Sequence, residues 1–179
     1  MRIAFSGSHR VGKSTLIERV AEALPRYDTV DEPYNLLEED GYESAEDPSV
    51  EDFLAQLERS IGALAEGESN VLYDRCPADI LAYLEVGAGG SFDADEWTEQ
   101  VREAIESLDL IVFVPIEERD RIPLPAHEDR MQRQAVHDRL HELLIENALG
   151  ASVEVLVVHG DVAARAKQVL SRVRALSTS

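Results

Sequence analysis

Between an apolar segment and an amphipathic one, the chain reads Phe5-Ser-Gly-Ser-His-Arg-Val-Gly-Lys-Ser-Thr15. Gly7, Gly12, Lys13 and Ser14 fill the pattern G-x-x-x-x-G-K-[ST], a loop that cradles phosphates. Its glycines permit backbone conformations that aim N–H groups at one point. The helix that follows turns its N-terminus to the same point, which favours anions. A strand before such a loop and a helix after it are the context that makes the pattern specific. Here Arg2 to Phe5 reads as the strand, and Leu16, Ile17, Val20, Ala21 and Leu24 share one helical face. Residues Gly7, Ser8, His9, Arg10, Val11, Gly12, Lys13, Ser14 and Thr15 are therefore expected to bind the phosphates of a nucleotide, ATP, with Lys13 on the outer phosphates and Ser14 on Mg²⁺. The chain has two lysines, Lys13 and Lys167, against fifteen arginines, so a lysine at position 13 answers a local need for a compact ammonium.

The rest of the chain continues the alternation. Strands are expected at 27–31, 70–73, 110–114 and 153–158. Helices are expected at 50–65, 77–86, 93–107, 129–149 and 162–176, and a polar loop at 34–48. Strands separated by helices predict an α/β fold, a five-stranded parallel sheet with helices on both faces. At 179 residues the chain fits one domain, expected over 1–179. The net charge of −19 speaks against nucleic acid and anionic membrane as partners. One cysteine, Cys76, allows no internal disulfide, and the N-terminus carries no signal-peptide pattern, so a cytoplasmic location is expected.

Other nucleotide-binding classes fit poorly. A switch GTPase needs Asp-x-x-Gly after a strand and an Asn-Lys-x-Asp or Thr-Lys-x-Asp base reader. After the third strand the sequence is Asp74-Arg75-Cys76-Pro77, and neither lysine follows Asn or Thr. A hexameric motor would need a lid domain for which no room remains.

The end of the second strand reads Asp31-Glu32-Pro33-Tyr34-Asn35, and the third strand runs into YDRCPADILAY at 73–83. Glu-Pro after strand two, and an acidic residue with Arg after strand three, resemble deoxynucleoside kinases and thymidylate kinase. The layout is also similar to the wider group of small AAA-type P-loop ATPases and kinases that includes the nicotinamide riboside kinase domain. The resemblance implies a Mg²⁺-dependent kinase that passes the γ-phosphoryl group of ATP to a small acceptor, a nucleoside or nucleotide. It implies Glu32 as the acceptor-side base, Asp74 as the metal-side carboxylate beside Ser14, and Arg75 on the acceptor or the transferring phosphate. Gln56 and Arg59 lie on the helix where that family reads a base, although a surface face explains them equally well. His159-Gly160-Asp161 is implied as an adenine-side loop. Two other readings stand beside this one: a regulatory ATPase acting through a protein partner, and a kinase for a non-nucleoside metabolite. A homodimer is left open.

The segment 115–130 follows strand four and, with the residues just after it, carries Arg119, Arg121, Arg130 and Arg133. Kinases of this type close an Arg-bearing lid there, which excludes water and stabilises charge on the γ-phosphoryl group. Arg121 and Arg130 are the expected lid arginines. His127 and His137 are expected at the surface.

Overall fold

Along the central strand, Ile3 and Phe5 face one way and Ala4 the other, and all three are fully buried. That two-residue alternation decides the layering in the computed structural model, which describes residues 1–45, 48–88, 92–117 and 130–178. β1 (Arg2–Ser6), β2 (Asp28–Val30), β3 (Val71–Asp74), β4 (Leu110–Phe113) and β5 (Val155–Val157) form one five-stranded sheet in the order β2-β3-β1-β4-β5. Every pairing is parallel, with Ala4 beside Tyr73 on one side and Ile111 on the other. Ile3, Phe5, Leu72, Leu110 and Val112 pack under α1 (Lys13–Ala23) and α7 (Val162–Leu176). Ala4, Val71, Tyr73, Ile111 and Phe113 pack under the helices of the opposite face: α3 (Val50–Ala65), α4 (Pro77–Gly87), α5 (Asp95–Glu106) and α6 (Arg130–Leu140). Both faces of the sheet are covered, as the alternation predicts for a parallel sheet.

β2 and β3 lie on one side of β1, β4 and β5 on the other, so the chain reverses its direction of travel across the sheet at β1. In open α/β sheets ligands bind beyond the carboxyl ends of the strands at such a point. The phosphate loop leaves β1 there.

Two expectations are corrected. Part of the stretch expected as loop at 34–48 is a helix, α2 (Pro33–Glu39). Pro33 occupies its first turn, where a missing N–H costs nothing, and Leu37 is buried. The helix expected over 129–149 is α-helical only to Leu140 and continues as a π-helical turn over His141–Ile145. No helix among the described residues is long and apolar enough to cross a membrane.

Candidate active site

The loop is fixed first by its backbone. Gly7 has φ +148°, and a Cβ there would meet the Val114 carbonyl oxygen well inside van der Waals contact. Arg10 and Gly12 take left-handed conformations, at φ +56° and +89°. Glycine adopts these freely, but a non-glycine residue such as Arg10 needs its surroundings to hold it there.

The Lys13 ammonium is buried and donates to the carbonyls of Gly7 (2.8 Å) and Ser8 (3.0 Å), which keeps it folded over the loop. Burial and the nearby Arg75 charge push its pKa down to about 8, against the raising influence of Asp79, Asp74 and Glu32. A phosphate would reverse that balance by adding negative charge at the ammonium.

At the start of α1, the Ser14 hydroxyl donates to Asp74 Oδ2 at 2.7 Å. Asp74 ends β3 and is nearly buried. Its other oxygen, Oδ1, is buried without a hydrogen-bond partner among the described residues. Desolvation raises the Asp74 pKa, while the Ser14 hydroxyl and the Lys13 charge pull it back. A hydroxyl and a carboxylate side by side, with one carboxylate oxygen unsatisfied, are hard oxygen donors suited to Mg²⁺, which takes few protein ligands and fills the rest with phosphate and water.

Arg75 follows Asp74 in a left-handed conformation, φ +80°. Its Nε donates to Glu32 Oε2 at 2.9 Å, and its guanidinium lies 5.4 Å from the Tyr83 ring centroid. Glu32 thus comes from the end of β2 to the ends of β1 and β3, and is more exposed than Arg75. Tyr83 stacks on Phe53 of α3 with centroids 5.8 Å apart. Its hydroxyl accepts the His9 backbone N–H at 3.0 Å.

The residues singled out in the sequence therefore do not all converge. Gly7 to Ser14, Glu32, Asp74 and Arg75 gather at the carboxyl ends of β1, β2 and β3, and Thr15 lies exposed in the first turn of α1. Arg119, Arg121 and His127 lie outside the described residues. Arg130 is exposed at the start of α6. Arg133 is instead buried, and its Nε donates to the His9 carbonyl at 3.1 Å. Gln56 is buried, which rules out a surface face for it, whereas Arg59 pairs with Asp40 at 2.8 Å. His137 is not a surface residue but is half-buried and stacked on Phe113, and burial lowers its pKa. Asp161 caps α7 through the Ala164 N–H, and the Gly160 N–H donates to Glu117.

Three residues beside the loop were missed. Asp79, fully buried, accepts the Gly7 N–H at 3.0 Å and the Cys76 N–H at 3.0 Å. Its position three residues after Cys76, with Pro77 between, is the spacing of a helix-capping acid and was the available signal. Arg165 and Glu117 pair at 3.0 Å, and Arg165 also donates to the Val11 carbonyl at 2.7 Å. Nothing in the local sequence marks either.

This sheet order, with a Gly-Lys-Ser loop at the reversal point and acids at the neighbouring strand ends, defines the P-loop nucleotide-binding class in its small-kinase layout. Within that class the chain belongs to the AAA domain family, whose model matches residues 2–165. Comparison with curated protein sequences gives no match. Among solved structures the chain is similar to deoxyadenosine kinase from M. mycoides with bound dATP, at TM-score 0.70 and 17% identity, covering 97% of this chain and 100% of that one. It is similar to the NadR protein in complex with NAD and AMP-PNP, at TM-score 0.70 and 19% identity, covering 99% of this chain but 49% of that one. It is also similar to the YorR protein from Bacillus subtilis in complex with phosphorylated GDP, at TM-score 0.63 and 14% identity, with 99% and 98% covered. At these identities the likeness is one of fold.

Proposed function

We propose that the protein is a Mg²⁺-dependent phosphotransferase that moves the γ-phosphoryl group of ATP to a small-molecule acceptor of the nucleoside or nucleotide class. The observation that carries this reading is the junction of two pairs at neighbouring strand ends. Ser14 and Asp74 sit together beside the phosphate loop, and Glu32 and Arg75 sit together next to them, at the ends of β2 and β3. One pair suits a metal and the other an acceptor. A switch or motor has no need of the second.

When bound, Mg²⁺ supplies positive charge to the phosphate oxygens, and Ser14 and Asp74 are the residues that would hold it. The chain's own groups do the rest. Backbone N–H groups of residues 10–14 and the Lys13 ammonium hold and orient the phosphates. Glu32 takes the proton of an attacking acceptor hydroxyl, and Arg75 holds the acceptor or the transferring group from the same side. The Tyr83–Phe53 stack supports the Arg75 guanidinium from below and gives the acceptor side an apolar wall. The segment 115–130 is proposed as the cover, with Arg121 and Arg130 acting on the transferring phosphate. The ligands of the similar structures, dATP, AMP-PNP and phosphorylated GDP, support a nucleotide at this site.

The test is ADP formation from Mg-ATP against a panel of nucleosides, mononucleotides and other hydroxylated metabolites. The reading expects strong stimulation by one nucleoside or nucleotide, with the phosphoryl group recovered on it. Stimulation only by a metabolite without a base would move the acceptor class. A slow rate that no acceptor changes, with all phosphate released to water, would favour a regulatory ATPase.

A further inference from the structure

Two arginines from helices far away in sequence reach the phosphate loop and hold carbonyls two residues apart. Arg133 of α6 donates through Nε to the His9 carbonyl at 3.1 Å, and Arg165 of α7 donates through NH1 to the Val11 carbonyl at 2.7 Å. Both side chains are buried, at 4% exposure each. Both bonds end on backbone carbonyls of the loop, so they act on its peptide planes.

The consequence follows from peptide geometry. In a planar trans peptide the C=O of one residue and the N–H of the next point in opposite directions. Holding the His9 carbonyl outward therefore turns the Arg10 N–H inward. Holding the Val11 carbonyl outward does the same for the Gly12 N–H. The residues whose N–H groups are turned, Arg10 and Gly12, are the two in left-handed conformation in this stretch, at φ +56° and +89°. At Arg10 that conformation is strained, and the Arg133 bond to the adjoining peptide helps to hold it. The Arg165 charge is balanced by Glu117 at 3.0 Å, and Glu117 is fixed in turn by the Gly160 N–H at 2.7 Å, so the clamp on Val11 is itself braced.

We infer that Arg133 and Arg165 are positioning residues for the triphosphate: they pin the peptide planes at 9–10 and 11–12 so that the loop's N–H groups face the phosphates before any ligand arrives. The inference rests on the loop being a triphosphate site. It adds that the site's preorganisation comes from α6 and α7, outside the loop pattern.

The test compares Arg133→Gln and the double variant Arg165→Gln/Glu117→Gln, which leaves no unpaired Glu117 carboxylate, with Arg133→Lys and Arg165→Lys. Calorimetry measures binding of Mg-ATP and of inorganic tripolyphosphate, each to protein shown to be folded by circular dichroism. The Gln variants should lose about tenfold or more in affinity for both ligands, the cost of a lost charge-assisted hydrogen bond that orders the site. The loss should be equal for the two ligands, because the clamp acts on phosphate and not on the base. The KM for ATP should rise by the same factor while the acceptor KM stays within about twofold. The Lys variants, which keep the charge and one donor, should recover part of the loss. Folded Gln variants that bind both ligands like wild type would overturn the inference. So would Gln variants that fail to fold while the Lys variants fold and bind like wild type, since the arginines would then be structural only. Wild-type protein that binds neither ligand would instead sink the triphosphate site itself.

Discussion

The Ser14 hydroxyl donates to Asp74 Oδ2 at 2.7 Å, and the other oxygen of the same carboxylate is buried with no hydrogen-bond partner among the described residues. A buried acceptor left unsatisfied costs free energy comparable to a lost hydrogen bond, on the order of 1–3 kcal/mol. A cation at this point would satisfy it. Asp74→Asn keeps the shape and removes the charge, so the Mg²⁺ concentration for half-maximal rate should rise about tenfold or more. A Mg²⁺ titration of ATP-dependent turnover measures this. An unchanged half-saturation would take Asp74 out of the metal site.

Glu32 belongs to the second pair. Its one described partner of opposite charge is Arg75, at 2.9 Å, and the carboxylate is more exposed than the guanidinium. An acceptor hydroxyl could therefore reach it without unburying the pair. Glu32→Gln should lower turnover by about a hundredfold, the usual scale of a lost general base, while the Kd for Mg-ATP stays within about twofold. Rapid-quench turnover and calorimetry on the same preparation separate the two. A variant that loses ATP affinity in step with turnover would show that Glu32 acts through the loop.

The Lys13 pKa of about 8 gives a pH signature of two opposite signs. The group titrates near 10.5 when unperturbed, so between pH 8 and 10.5 the unfolded chain holds a proton that the empty folded site has released. Stability rises with pH where the unfolded state binds more protons, so the cost of charging buried Lys13 is full below pH 8 and relieved across that window. Ligand binding runs the other way. Phosphates favour the charged ammonium, so binding above pH 8 takes up a proton, and affinity for Mg-ATP should fall about tenfold between pH 7 and pH 9 if Lys13 regains its ordinary value in the complex. Calorimetry at pH 8.5 in buffers of different ionisation enthalpy reads the proton count directly. Zero uptake would mean that the ammonium is already charged in the free protein.

Much of this was legible in the residues, for reasons that can be named. The sheet announced itself because β1 and β4 are buried on both faces and so read as short apolar runs. The loop was legible because its chemistry is local: Gly7, Gly12, Lys13 and Ser14 must stand at fixed spacing to close one turn. Glu32 and Asp74 could be picked out because strand ends are where an open sheet puts ligands. The rest was hidden by distance in sequence. Arg165 reaches Val11 across 154 positions, and Arg133 reaches His9 across 124. No spacing rule connects such pairs, and an arginine on an amphipathic helix looks like any solvated one. α2 was hidden differently: its acids read as loop, and only its packing against α3 and the burial of Pro33 and Leu37 show that a short helix has a face to bury.

The central claim is that residues 7–15 build the triphosphate site and that Lys13 is its cation. Calorimetric titration of Mg-ATP into wild type and Lys13→Ala, with ADP formation followed on the same samples, tests it most directly. Lys13 bonds only loop carbonyls within the described residues, so its removal should leave the fold intact by circular dichroism. Binding should weaken by about a hundredfold, as expected for removing a charged group that meets phosphate, and turnover should be lost. A folded Lys13→Ala protein that binds Mg-ATP and forms ADP like wild type would contradict the account.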